Sequence, residues 1–173
     1  MIQGLSLYIH WPFCLSKCPY CDFNSHVSVG PVDEERWRRA LLAEMAHFAA
    51  ETRQNRLETV FFGGGTPSTM APATTAALIS AAKGFWTCSE TLEITLEANP
   101  TSVEAGKLAD FANAGVNRLS LGVQSFNDKS LKFLGREHSA NDAMKAISLA
   151  SERFERFSFD LIYGLPGQQT ADW

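Results

Sequence analysis

Three of the chain's four cysteines, Cys14, Cys18 and Cys21, fall within eight residues as CxxxCxxC, and Cys88 stands alone. A secreted disulfide scaffold is denser in cysteine and usually even-numbered, so the cluster reads as a set of metal ligands. A closed structural zinc site takes four ligands. Three thiolates would then need a fourth partner, for which His26, Asp22 and His10 are the neighbours in sequence. A [4Fe–4S] cluster is normally held by four cysteines, and three leave one iron free for a chelating molecule from outside the chain. Three adjacent thiols without a metal are the remaining reading.

Further along lie other groups able to hold a ligand. Gly63-Gly-Gly65 is not followed by the Lys-Ser/Thr pair of a phosphate loop, which argues against a nucleoside triphosphate. Glycines there let a backbone come close to a ligand, so that its carbonyls can accept from an ammonium; the plainer reading is a tight turn. Glu97 and Asp160 can accept from hydroxyls or an amine, and Arg136 can pair with a carboxylate or serve as a solvated charge at a helix end. His10 is a candidate ligand contact, His26 a loop residue, and His47 and His138 are expected in solvent. Cys88 reads as a small buried or half-buried thiol.

The elements that must position these groups alternate along the chain. Leu5–His10, Glu58–Phe62, Leu92–Glu97, Arg118–Gln124 and Phe157–Tyr163 are expected strands. Asp33 can cap a helix whose inner face carries Trp37, Leu41, Met45 and Phe48, and residues 71–83 form an Ala-rich helix. Thr101 and Glu104 make a capping-box pair, Gly115 suits a helix C-terminus, and Ser139 can cap a further helix. The alternation implies an α/β fold with a parallel sheet and right-handed crossovers. Doubly buried parallel strands usually read as continuous apolar runs, but these alternate. Tyr8, His10, Glu97, Gln124 and Asp160 would therefore share the face away from the helices. A closed eight-strand barrel fills its lumen with apolar side chains; a polar lumen points to an open or wider barrel around a polar ligand. An antiparallel sheet with one wet face is the alternative.

Hydrophobic residues make up 45% of the 173 and charged residues 20%, which excludes disorder and fibrous classes. The net charge of −4, without a Lys/Arg run, argues against nucleic acid as a partner. No stretch reaches the ~18 apolar residues of a membrane span, and the N-terminus has no signal-peptide pattern, so a cytoplasmic protein is expected. The strands stop at five, which cannot close a barrel. A fragment, residues 1–173 being one incomplete domain, is the expectation.

Tyr8-Ile-His-Trp-Pro-Phe-Cys14 followed by CxxxCxxC resembles the opening of radical S-adenosylmethionine (SAM) proteins. More narrowly, it is similar to the oxygen-independent coproporphyrinogen III oxidase group and to its relatives, the HemW-like heme chaperones. Phe61-Phe-Gly-Gly-Gly-Thr-Pro67, Leu96-Glu-Ala-Asn-Pro100, Leu121-Gly-Val-Gln-Ser-Phe126, Leu134-Gly-Arg136 and Asp160-Leu-Ile-Tyr-Gly-Leu-Pro-Gly167 resemble that group's segments in the same order. The resemblance implies a partial (βα)6-type parallel barrel, truncated after its fifth strand. It also implies a [4Fe–4S] cluster on Cys14, Cys18 and Cys21, with the amine and carboxylate of SAM on the open iron. In that family, one electron from the cluster breaks the sulfonium C–S bond and yields a 5′-deoxyadenosyl radical. By the same resemblance, Tyr8, Tyr20, Gly64, Gly65, Thr66, Glu97, Gln124, Arg136 and Asp160 would line the SAM site, though Tyr20 also suits core packing and Gln124 a hydrogen bond within the lumen. No catalytic side chain is assigned.

The oxidases carry a fourth cysteine two residues after the third, where this chain has Phe23. Cys21-Asp-Phe-Asn-Ser25 therefore looks like the chaperone branch. That branch implies heme as cargo and respiratory heme-acceptor proteins as partners. The alternative is oxidative decarboxylation of a porphyrinogen, and a zinc-stabilised binding module is a third reading. In the chaperone branch the heme region lies in a C-terminal part beyond the residues compared here.

Overall fold

In the computed structural model residues 3–172 are described, apart from the side chains of 102 and 103. The main sheet has five strands: β1 (Gly4–Trp11), β4 (Arg56–Gly64), β5 (Thr87–Ala98), β6 (Arg118–Gln124) and β7 (Arg156–Leu161). They lie side by side in chain order, and every neighbouring pair is parallel. The antiparallel alternative is thereby overturned. A separate ribbon pairs β2 (Phe13–Cys14) with β3 (His26–Val27); nothing in the sequence pattern announced it.

Helices cross between the strands: α1 (Glu34–Thr52), α2 (Pro72–Phe85), the short α3 (Ser102–Ala105) and α4 (Leu108–Asn113), then α5 (Asp128–Phe133) and α6 (Ala140–Arg153). Their ends follow the expected chemistry. Asp33 accepts from the Arg36 N–H at 3.0 Å, and Ser139 with Asp142 forms a reciprocal capping box. At Gly115, with φ +106°, the Gly115 and Val116 amides return to Ala112 and Phe111, a left-handed helix stop that favours glycine.

The core is one layer between the sheet and the helices. Leu57, Val60, Phe62, Ile94, Leu96, Leu119 and Leu121 face Met45, Leu78, Ile79, Phe111 and the small residues Ala143, Ala146 and Ala150 of α6. In β6 the alternation is complete: Leu119, Leu121 and Val123 are buried among helices, while Ser120, Gly122 and Gln124 point to the other face. That two-residue period delivers polar side chains to the open face without costing core contacts.

Four expectations need correction. Phe48 is 52% exposed instead of closing the inner face of α1. The strand that starts at Leu92 in the apolar pattern begins at Thr87, so Cys88 lies within it. The helix after Thr101 stops after one turn; Thr101 Oγ1 accepts from the Glu104 N–H at 3.3 Å as expected, but the Glu104 carboxylate accepts from the Asn99 N–H and the Ser68 hydroxyl instead of closing the box on the Thr101 backbone. The last strand ends at Leu161, two residues short of Tyr163.

Candidate functional site

A cleft of about 340 Å³ opens at the C-terminal ends of the strands, where parallel α/β sheets place their ligand sites. Cys14 lines it from the end of β2, and Cys18, Tyr20 and Cys21 from the loop that follows. Gly65 and Thr66 enter after β4, Glu97 and Asn99 from the end of β5, Gln124 from β6, Asp160 from β7 and Arg136 from the turn after α5. Of the residues that the resemblance assigns to the cluster and SAM, Tyr8 and Gly64 do not line this cleft.

The cysteine loop is held by backbone and side-chain bonds of its own. Lys17 donates from Nζ to the carbonyls of Phe23 and Ser25 at 3.2 and 3.3 Å, and the Cys21 N–H returns to the Cys18 carbonyl. All four cysteines are free thiols, and Cys14 is buried. Thr66 Oγ1 donates to Cys14 Sγ at 3.5 Å. Arg136 Nη1 donates to Cys18 Sγ at 3.4 Å and reaches the Tyr20 hydroxyl at 3.5 Å. Among the described residues, no three His, Cys, Asp or Glu side chains converge on one ion position.

The glycine run packs closely against the chain's own backbone. The Gly65 N–H bonds the Trp11 carbonyl at 2.7 Å and the Thr66 N–H bonds the Phe13 carbonyl at 2.8 Å. A Cβ on Gly65 would lie 2.6 Å from the Phe13 carbonyl oxygen. The close approach is thus to the chain's own backbone, and it docks the Gly-rich turn against the strand that leads into the cysteines. Gly64, at φ +118°, is packed under the His10 ring, and its N–H is hydrogen-bonded to Glu97.

Charge is unevenly paired around the cleft. Burial pushes the Glu97 carboxyl above its ordinary range; the Gly64 N–H pulls it back and nearby Asp160 raises it further. Burial likewise pushes the Tyr20 hydroxyl up to about 12. Arg136 Nη2 donates to Asn99 Oδ1 at 2.5 Å and to the Gly122 carbonyl at 2.6 Å. Its buried Nε–H has no partner, and no carboxylate among the described residues forms an ion pair with it. It is held in place by neutral acceptors, not solvated as a free helix-end charge. Gln124 has φ +70°, and no other non-glycine among the described residues has positive φ. Such strain is stored at functional sites more often than elsewhere.

Tyr8 and His10 do not join Glu97, Gln124 and Asp160 at this cleft. The Tyr8 ring stacks on Phe61, and its hydroxyl lies 3.3 Å from His10 Nδ1. His10 Nε2 lies 2.9 Å from the Asn24 carbonyl. Both, with His26, line a second cleft of about 620 Å³ between β1 and α1. His47 is exposed as expected. His138 is not: it is 5% exposed and meets the Val123 carbonyl through Nε2 at 3.0 Å, because the turn after Arg136 folds back under β6.

Sequence reasoning missed Asn99 and the inward role of Glu104. Asn99 stood inside the Leu96–Pro100 segment, and an amide between two strand-end motifs was the available signal. Glu104 read as a cap; burial raises its carboxyl, against hydrogen bonds from Ser68, Asn99 and Thr101 and the charge of Arg136.

Comparison with known proteins comes to the same group from the whole chain. A family model described as "Radical SAM superfamily" matches residues 8–173. The chain is 46% identical to "Radical S-adenosyl methionine domain-containing protein 1, mitochondrial" of Bos taurus, over 99% of this chain and 39% of that protein. It is 44% identical to "Heme chaperone HemW" of Escherichia coli, over 99% of this chain and 46% of that protein. The fold matches the solved structure of coproporphyrinogen III oxidase (HemN) from Escherichia coli with a TM-score of 0.88 at 31% identity, over 99% of this chain and 40% of that one. The chain thus spans less than half the length of these relatives. The bovine relative is named as mitochondrial and the HemW relative is bacterial. No helix among the described residues is long and apolar enough to cross a membrane.

Proposed function

Because this chain belongs to the radical SAM superfamily, we propose that it holds a [4Fe–4S] cluster on Cys14, Cys18 and Cys21 and SAM beside it. The observation that carries the reading is the convergence on one cleft of the three thiols with Tyr20, Gly65, Thr66, Glu97, Gln124, Arg136 and Asp160. The donor set fits such a group. Two thiols already receive hydrogen bonds from Thr66 and Arg136, and a third guanidinium donor is buried without a partner. When bound, the cluster supplies one electron to the sulfonium of SAM. The chain's own residues bind and orient. Arg136 offers its charge to a carboxylate, Glu97 and Asp160 accept from an amine or ribose hydroxyls, and the Gly65 turn closes the wall behind Cys14.

We further propose that the complete protein is a heme chaperone that passes heme to respiratory acceptor proteins. Support for the chaperone part comes from the relatives named "Heme chaperone HemW" and from Phe23, which lines the cleft at the oxidases' fourth-cysteine position. The likeness to the solved oxidase keeps a second reading in play, decarboxylation of a porphyrinogen. A reducing compartment suits four free thiols in either case.

The test is anaerobic reconstitution with iron and sulfide, then EPR of the dithionite-reduced protein with and without SAM. A cubane signal that shifts on adding SAM is expected, and Cys18→Ser is expected to lose iron, since two thiolates hold a cubane poorly. A colourless protein carrying one zinc overturns the cluster. In the complete protein, heme titration against porphyrinogen turnover separates the chaperone from the oxidase.

A further inference from the structure

The donors on Cys14 and Cys18 come from residues far apart in the chain, and one side chain joins them. Arg136 has donors only, so the Asn99 amide must turn its oxygen toward Nη2, at 2.5 Å. Its NH2 group is left facing Thr66 Oγ1, at 3.2 Å. Having accepted there, the Thr66 hydroxyl has its proton free for Cys14 Sγ. The other arm of the guanidinium, Nη1, reaches Cys18 Sγ. Behind the amide, the Asn99 N–H donates to the Glu104 carboxylate at 2.7 Å, and that carboxylate is also held by the Ser68 and Thr101 hydroxyls. Donation therefore runs outward from Arg136 along two arms, through Asn99 and Thr66 to Cys14 and directly to Cys18, while the Asn99 backbone is tied to the buried Glu104 carboxylate.

We propose that Asn99 is a positioning residue that aims one hydrogen-bond donor at each of two cluster thiolates and so raises the cluster's reduction potential; this rests on the cluster reading above. Reduction adds negative charge to the cluster, and donors on its sulfurs stabilise that charge. Removing them makes the cluster harder to reduce.

Asn99→Asp is close to isosteric and keeps the acceptor for Arg136. Its carboxylate has no donor, so it draws the Thr66 proton to itself and away from Cys14. Thr66→Val removes the same proton without adding charge. Redox titration of the reconstituted chain, followed by EPR, reads the midpoint potential of each variant and of the double variant, at matched iron and sulfide content. Each single variant is expected to lower the potential, and the Asn99→Asp shift is expected to shrink in the Thr66→Val background. Asn99→Ala, which drops both contacts without adding charge, is expected to lower it as well, and decides the matter should Asn99→Asp not fold. Unmoved potentials, or shifts that add in full, overturn the role of Asn99 alone. Absence of iron and sulfide from the unaltered chain overturns it together with the cluster.

Discussion

Arg136 concentrates much of the site's chemistry in one side chain, and its placement explains what the sequence could and could not reveal. That it would matter was legible from Leu134-Gly-Arg136. That its partners would be an amide, a carbonyl and a thiol was not, because the Asn99 and Gly122 contacts depend on strand ends meeting in space. His138, two residues on, was misread as solvated for the same reason. Its carbonyl partner, Val123, requires Nε2 to carry the proton. Burial, and then the charge of Arg136, hold the ring below its ordinary value of 6.5, against the Val123 bond and Asp142. The sign follows from linkage: the folded state binds the proton less well than the unfolded one, so stability is full above that value and declines as pH falls below it. His138→Gln keeps a donor for Val123 and is expected to flatten this acid limb in urea melts between neutral pH and about pH 5. An unchanged limb counts against a buried neutral imidazole.

Element boundaries were legible where local chemistry decides them, as at the Asp33, Ser139 and Gly115 caps. They were not legible where another element supplies the partner. The N-cap position of α2 is Ala71, which has no capping side chain. The Glu34 carboxylate of α1 fills that role, accepting from the Ala71 N–H at 2.9 and 3.0 Å and from the Thr74 hydroxyl at 2.8 Å. It serves its own helix as well, as an acidic first-turn residue opposite the macrodipole. Glu34→Ala is therefore expected to cost about 1–2 kcal/mol, the upper part of the range for a lost cap, measured as a lower urea midpoint with unchanged slope. A cost near zero sinks the cross-helix cap. Gly135 is a comparable case. Its φ of +68° ends α5, and a Cβ there would meet Pro19 of the cysteine loop at 2.7 Å, so one glycine both stops a helix and seats the loop.

At the scale of the molecule, a parallel sheet was readable from the alternation of strands and helices, while the side-by-side order of its strands came from the structure. The two-faced strands likewise foretold a polar open side, although Tyr8 and His10 fell into the second cleft at the β1 edge. Because the ends of β4, β5, β6 and β7 each contribute a wall of the first cleft, a ligand there ties the sheet together. With the cluster in place, SAM at about a hundred times its Kd is expected to add about 2.7 kcal/mol. For a chain of this size that corresponds to a Tm rise of ~5–11 °C, read by calorimetry under anaerobic conditions. No rise at saturating SAM counts against the ligand site. The long reach of the thiol contacts has a further consequence, for biosynthesis. Thr66 follows Cys14 by 52 residues and Arg136 follows Cys18 by 118. At ribosomal speeds, the cysteines wait on the order of ten seconds before their last donor is made. A nascent chain thus presents its thiols well before their donors exist, so on the proposed cluster reading iron loading is expected only once Arg136 has been made.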